Sequence, residues 1–587
     1  MATPREHTLT DEQRAFVEAE LPRDALVLSD AVAGSGKTTT LAAFARHHAE
    51  KRILYLVFNT AVREEAERRM PANARPRTLH SLALEVARAT RAVRGQPPIN
   101  LVPTIDKAVL LDYVLGDATT SKADAAFLRM RGASTWLVDL FRLYLHDTQI
   151  VVDDAYVRRA VMRDVRPFAR QRLEDAVRAL AHGLRVAWRG ASNGALAATH
   201  DVCAKLMFKV GASIAQSYDV VLCDEAQDVS AQFLAVIMKW RGTVPLVFVG
   251  DRCQHIYSFL GTSNVFGAVA PTHAFALTAS FRFGDAIAAL ARAASQRALV
   301  GAARHASRTL EADVPRLIPA HVVALKRGTT AYLHRTNVQL LLHAAEIARM
   351  QPPKTIGIAG RGASVFKEVE DLLHDLATQA YMIDLKLKRA TDEGDGSKKA
   401  LIEWVRAKRG EAAEIVRVLK DRAKTGAAAL SSNVDALLCT VHGAKGLEWE
   451  FVVVGDDLLP ESTHEFKELK EKDGTATWKR EPAWKRARTA VATSASTLAS
   501  FDPDSDVAAA ATTSTTTTTT TTFVAQNDEL SEDDVEPLMR TQFASIDADE
   551  GWRLLYVALT RARDTLVVSP RIALALRKRE AHFAQKK

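Results

Sequence analysis

The stretch Asp30-Ala-Val-Ala-Gly-Ser-Gly-Lys-Thr38 holds the residue types that cradle a phosphate. It follows the apolar run Ala25-Leu-Val-Leu28 and opens a helix-like segment from Thr39 to His48. A strand, a glycine-rich turn and a helix in that order present backbone N–H groups and a helix N-terminus to an anion. The N–H groups around Gly34 to Thr38, with Ala33, Ser35, Gly36 and Thr39 lining the turn, are expected to face the phosphates of a nucleoside triphosphate, ATP in the first instance. Lys37 would reach the β and γ oxygens, and Thr38 would ligate Mg²⁺. The pattern G-x-x-x-x-G-K-[ST] is missed once, because Ala31 stands in place of its first glycine.

A second element has to supply metal and water chemistry. Asp219-Val-Val-Leu-Cys-Asp224-Glu225-Ala-Gln227-Asp228 reads as a buried strand that ends in carboxylates. Asp224 is placed to hold Mg²⁺ through its water shell, since that ion takes few protein carboxylates. Glu225 is the expected general base for the attacking water. An Asp-Glu pair at a strand end is also an ordinary solvated cluster, and the phosphate loop upstream is what favours catalysis.

Further on come Phe248-Val-Gly250-Asp251-Arg-Cys-Gln254-His-Ile-Tyr257-Ser-Phe259 and Leu277-Thr-Ala-Ser-Phe281-Arg282. Thr440-Val-His442-Gly-Ala-Lys445-Gly446-Leu-Glu448-Trp and Leu555-Tyr556-Val-Ala-Leu-Thr560-Arg561-Ala follow, and Leu9-Thr-Asp-Glu-Gln13 precedes the phosphate loop. This ordered set, from residue 9 to about residue 568, resembles the motifs of superfamily 1 helicases of the UvrD/Rep type. Within that group it is similar to the helicase part of the F-box DNA helicases, through Ser280-Phe-Arg-Phe-Gly284, Leu333-His-Arg-Thr-Asn337 and the short spacing after residue 380.

The resemblance implies roles that single residues would not. Gln13 would read the adenine edge and Phe281 stack on the ring, while Glu448, with Gly446 beside it, would contact the ribose. Gln254 would sense the γ-phosphate, and Arg282 and Arg561 would reach it across a cleft, where transition-state charge spreads over the γ-oxygens. Phe58 with Asn59, Thr78 with His80, Tyr257 and Phe259 match positions that face a DNA strand. Arg335, Asn337 and His442 would do so from the second domain. Aromatic side chains grip a single strand without sequence preference, although Phe58 ends a strand run and core packing is its alternative. Leu260 departs from the family, which places an arginine after that aromatic, and this bears on coupling between ATP and DNA.

The implied activity is an ATP-dependent helicase or translocase moving 3′→5′ on single-stranded DNA and at duplex–single-strand junctions, in recombination or repair. The alternatives are a nucleic-acid binding switch that does not translocate, and an RNA-directed superfamily 1 helicase. No F-box is expected ahead of Gln13, and no nuclease motif after residue 568.

The motif spacing calls for an α/β chain with two RecA-like domains, each a parallel sheet flanked by helices. Residues 1–86 and 205–280 would form the first. Runs such as Ile53-Leu-Tyr-Leu-Val-Phe58 and Val244-Pro-Leu-Val-Phe-Val249 suit parallel strands buried on both faces. Residues 87–204, rich in Arg and Ala, read as a helical insertion. Residues 281–379, 436–460 and 546–580 would form the second domain, with 380–435 a vestigial helical insertion. Residues 461–545, with a Thr tract from Thr512 to Thr522, read as a disordered loop.

Composition agrees without deciding. The 587 residues suffice for about three or four domains, and a net charge of +8 is a mild basic excess that suits polyanions or simple solubility. Four cysteines without CxxC spacing predict neither a disulfide framework nor zinc. No apolar run of ~18 residues predicts a membrane span, so the expectation is an intracellular protein, nuclear if eukaryotic.

Overall fold

The computed structural model describes residues 8–57, 60–130, 133–164, 170–211, 217–256, 265–311, 329–350, 354–360, 363–392, 396–431, 434–460, 466–470, 476–480 and 550–584. The apolar run before the phosphate loop is β1 (Leu26–Ala31), paired with β5 (Leu246–Gly250) and β6 (His273–Leu277). The first sheet continues through β4 (Val220–Cys223) and β2 (Ile53–Val57) to β3 (Ala74–Thr78), in the order β3-β2-β4-β5-β1-β6, every pairing parallel.

Successive side chains of a strand point to opposite faces, and here both faces are covered. Leu26, Leu28, Leu246 and Phe248 enter one core. Val27, Ala31, Val247 and Val249 enter another with Phe16, Leu41 and Phe44. This double burial is why the strands read as unbroken apolar runs.

The helices Lys107–Gly116, Lys122–Leu128, Ala133–His146, Asp154–Asp164 and Arg170–Asn193 fill the long interval between β3 and β4. Their apolar stripes (Leu110, Val114, Leu137, Phe141, Leu180, Leu184) pack into the same core as Leu26 and Phe248. The inserted segment is therefore fused to one face of the sheet.

Lys205 lies buried at this junction. Its ammonium donates to the carbonyls of Asp147 (2.6 Å) and Gln149 (2.7 Å) and sits 4.1 Å from the centre of the Tyr144 ring. Burial pushes it down to about 7, whereas an unfolded lysine keeps its proton to about 10.4. Between these values the unfolded chain binds more protons, so stability should rise with pH across that window. Lys205→Met should lower the melting temperature, by stranding two carbonyls, and should flatten its rise between about pH 7 and about pH 10.

The second sheet is also parallel throughout. Its strands are β9 (Arg308–Glu311), β10 (Thr330–His334), β11 (Ile356–Ile358), β12 (Ala423–Thr425), β13 (Ala436–Thr440), β14 (Trp449–Val454) and β17 (Ala562–Val568), in the order β12-β11-β13-β10-β14-β17-β9. One face carries Leu333, Val452, Val454 and Leu566 with helices Asp285–Ser295 and Glu550–Leu559. The short strands β7 (Ala279–Ser280) and β8 (Val300–Gly301) pair beside it.

The other face is covered by helices that include the segment 380–435, read from the sequence as a vestigial helical insertion. Helices Ala363–Thr378, Ala380–Asp392, Gly396–Ala407 and Arg409–Arg422 bury Phe366, Leu372, Ile383, Leu401, Val405, Ile415 and Leu419 against Tyr332, Ile358 and Leu438. The segment also returns an edge strand, β12, to the sheet. Its apolar positions recur at helical spacing among the charged ones, as amphipathic helices packed on a sheet require.

A separate unit, Pro460–Met539, is described only at the antiparallel hairpin of β15 (Phe466–Lys470) and β16 (Ala476–Arg480). An unstructured reading of 461–545 fails for these two strands. Asp473-Gly474, a dipeptide that favours turns, stands between them in the sequence. The Thr tract lies outside the described residues. Among the described residues, no helix is long and apolar enough to cross a membrane.

Candidate active site

The phosphate loop leaves β1 and enters the helix Lys37–His47. Gly36, its N-cap, has φ 77° and no side-chain cap, so the helix's first N–H groups stay open to an anion. Gly34 has φ 75°, and a Cβ there would lie 2.5 Å from the Cβ of Arg282. Only glycine lets Arg282 come this close.

Around the loop, Gln13 closes a capping box with Thr10 and donates its amide to the Ser35 carbonyl (3.1 Å) and the Thr40 hydroxyl (3.1 Å). Phe281 donates its N–H to the Gly34 carbonyl (2.8 Å), and its ring, 44% exposed, stands beside Gly36. An exposed aromatic next to a buried amide at the mouth of a phosphate loop is an open platform for a base. Thr39 is exposed on the first turn, while Ala33 and Ser35 are buried beneath it.

Asp224 ends β4 almost fully buried and accepts a 2.6 Å hydrogen bond from the Tyr55 hydroxyl. The Thr38 hydroxyl also acts on this phenol, which places a hydroxyl and a carboxylate on the same side of the loop. That donor set fits Mg²⁺, which keeps phosphate and water oxygens for its remaining positions. Burial and the neighbouring Glu225 charge push Asp224 up to about 6.

Glu225 adopts φ 50°, ψ 44°, a left-handed conformation uncommon for a residue with a side chain. Strain of this kind costs of order 1–3 kcal/mol and persists where surrounding structure imposes it. It turns the carboxylate toward Lys37, 3.6 Å away, and the Gln227 amide donates to it at 2.7 Å. Burial works upward on Glu225, yet the Lys37 ammonium and the Gln227 bond hold its carboxyl below the usual value. Glu225 is thus held in its ionised form.

The second domain closes the site. Arg561 is 1% exposed and donates to the carbonyls of Val557 (3.0 Å) and Leu447 (3.2 Å) and to the Gln254 side-chain oxygen (3.4 Å). Burial and the nearby Arg282 push it down to about 9. Arg282 donates to Glu448 (2.6 Å) and to the Thr560 carbonyl (3.0 Å). Glu448 also pairs with Arg563 at 3.5 Å, so in this geometry it is a holder of arginines. Gly446, with φ 85°, makes the turn before it.

The remaining residues singled out in the sequence leave the C-terminal ends of strands. Thr78 caps the helix Leu79–Val93, and His80 packs edge-on against Phe233 and lies 3.6 Å from Asp201. Both line a cavity of about 1190 Å³ with Arg75, Arg77 and His200. His442 bonds the Ile256 carbonyl at 3.2 Å, joining the two domains. The backbone N–H of Arg335 is held by Asp457 (2.9 Å) and that of Asn337 by Ser397 (3.3 Å). Phe58, Asn59, Tyr257, Phe259 and Leu260 lie outside the described residues.

Several participants carried no role in the sequence reading. Lys445 donates to both oxygens of buried Asp228 (2.6 Å each) and to the Gln254 carbonyl (2.8 Å). Gln227 accepts from the Asp251 N–H (3.0 Å). Asp251, fully buried, accepts from Gln254 (2.8 Å), Tyr556 (2.9 Å) and Arg297. Gln227, Asp228 and Lys445 sat inside recognised motifs; Arg297 had no signal at all.

Residues 9–266 match the UvrD/REP helicase N-terminal domain and residues 401–571 the UvrD-like helicase C-terminal domain. The chain belongs to the UvrD/Rep helicase family. Its two sheets are the family's pair of RecA-like domains, and the cleft between them is where its nucleotide chemistry is sought. The chain is 26% identical over 486 residues to F-box DNA helicase 1 of Gallus gallus, covering 77% of this chain and 45% of that protein. It is 26% identical over 497 residues to F-box DNA helicase protein 1 of Schizosaccharomyces pombe, covering 78% and 54%. It thus spans about half the length of these relatives.

Proposed function

We propose that this protein is an ATP-dependent motor on single-stranded DNA, moving 3′→5′ and opening duplex–single-strand junctions in recombination or repair. The observation that carries this reading is the facing of two half-sites: Lys37, Asp224 and Glu225 in the first domain, Arg561 and Arg282 in the second, with Gln254 between them. Lys37 and the open N–H groups of the loop hold the phosphates, and Gln13 and Phe281 hold the base. Thr38 and Asp224 would hold Mg²⁺, which when bound would neutralise charge on the β and γ oxygens. Glu225 orients the water, and the two arginines stabilise the transition state. Charge on the γ-phosphate draws the half-sites together, its loss lets them part, and strand loops on both domains turn that cycle into movement. The relatives' names, both DNA helicases, favour DNA over RNA.

The test is unwinding of paired duplexes carrying a 3′ or a 5′ single-stranded tail, with and without ATP. ATP-dependent opening of the 3′-tailed duplex alone is expected; equal opening of both, or none with ATP, would overturn the reading.

The base platform gives a separate expectation. Base–aromatic stacking is worth ~1–3 kcal/mol, so Phe281→Ala should raise the Kd for ATP about tenfold or more. Its ring is too exposed to support the fold, so the melting temperature should stay put.

A further inference from the structure

Two of the buried contacts between the half-sites, to Asp30 and to Asp251, are made by one side chain that no catalytic motif contains. Arg297 follows the helix Asp285–Ser295, whose Ile287, Ala288 and Ala291 pack with Leu555 and Ala558 of the second domain. Gln296, with φ 53°, reverses the chain in the left-handed region and turns Arg297 inward. The guanidinium is 6% exposed and spans the cleft. Its Nη1 donates to Asp30 (2.7 Å), at the end of β1; its Nη2 donates to Asp251, just after β5, and to the Tyr556 hydroxyl (2.8 Å).

Each partner leads to a different working part. Asp30 begins the phosphate loop. Asp251 holds Gln254, whose oxygen meets Arg561. Tyr556 lies on the helix that presents Arg561, and its hydroxyl accepts the N–H of Ala33 in the loop itself at 3.1 Å. The carbonyl of Ile256, immediately before Tyr257 and two residues beyond Gln254, is tied to His442. Strand contact at His442 would therefore act on the segment 251–256, whose first residue, Asp251, is held by Arg297.

We propose that Arg297 is a positioning residue that clamps the direct Tyr556–Asp251 hydrogen bond (2.9 Å) from both sides, so that strand binding reaches the phosphate loop through Asp251, Tyr556 and Ala33 and DNA raises ATP turnover. This deepens the motor reading of the cleft and rests on it. The guanidinium suits the task because its planar fork reaches two carboxylates and a phenol at once, which a lysine cannot do. Burial works against its charge, yet Asp251 and Asp30 hold it well above its ordinary value, so the latch stays charged throughout the working pH range.

Because Arg297→Gln leaves buried carboxylates uncompensated and is open to misfolding, the test uses the milder changes Tyr556→Phe, Asp30→Asn and Arg297→Lys in the full chain. ATP turnover is measured with and without oligo(dT), alongside the KM for ATP and the melting temperature. Tyr556→Phe and Arg297→Lys are each expected to cut strand-stimulated kcat about tenfold, the scale of one or two lost hydrogen bonds, with KM for ATP little changed. Asp30→Asn combined with Arg297→Lys is expected to be no worse than the stronger single change. A wild-type chain that oligo(dT) does not stimulate would sink the motor reading and this proposal together. A stimulated wild type with equal stimulation in the three variants would overturn the proposal alone. So would losses in kcat and KM that merely follow a falling melting temperature.

Discussion

Lys37→Ala and Glu225→Gln should each remove ATP turnover while single-strand binding survives. Lys37 lies at the base of the cleft with its ammonium 3.6 Å from Glu225, so a bound γ-phosphate would enter between a cation and an anion that already face one another. Without the lysine, the charge on the β and γ oxygens loses its only flexible point charge in the loop, a loss of about 10²–10³ in kcat by comparison with other donors to a developing anion. Glu225→Gln keeps the size, the left-handed backbone and an acceptor for the Gln227 amide, but it cannot take a proton. General-base loss alone is worth about 10²–10⁴. The two side chains face each other and Gln227 inside the cleft, so retention on labelled oligo(dT) should persist. Turnover near the wild-type rate in either variant would withdraw that residue from the chemistry. Loss of strand binding would mean that the site and the strand surface fold as one piece.

What the sequence made legible was the part of the molecule built from local rules. Parallel strands buried on both faces must be apolar at nearly every position, so β1, β2, β4 and β5 stood out, and the loops at their ends carried the chemistry. Gln13, Lys37, Asp224, Glu225, Gln254, Phe281, Arg282 and Arg561 come together around one cleft for that reason. The helices of 380–435 were harder. Their apolar positions are spread at helical spacing among lysines and arginines, and only the packed sheet shows that Leu401, Val405 and Ile415 are core. Least legible were contacts between residues remote in sequence. Nothing about Tyr55 announces that its hydroxyl holds Asp224. Arg297, at the end of an alanine-rich helix, gives no hint that it meets Asp30 and Asp251 across the cleft. Glu448 shows the converse: its motif singles it out, but its neighbours here are Arg282 and Arg563.

Arg282 and Arg561 should behave as one unit. Either Ala variant is expected to lower kcat by at least ~10², by analogy with loss of an arginine finger, and the double variant should cost less than the product of the two. The reason is in the contacts. Arg282 donates to the carbonyl of Thr560, the residue immediately before Arg561, so removing Arg282 also frees the backbone that aims its partner. Arg561 in turn is so buried, and so close to Arg282, that its charge is held at a cost. An anion between them relieves that repulsion, and the pair is most useful when both are present. Groups that stabilise one transition state through shared positioning give non-additive losses. Arg561→Ala strands the carbonyls of Val557 and Leu447, so Arg561→Lys serves as its folding control, keeping the charge while giving up the planar fork. Measured as kcat at saturating oligo(dT), with ATP affinity followed separately, cleanly multiplying effects would show that the two arginines act on different steps.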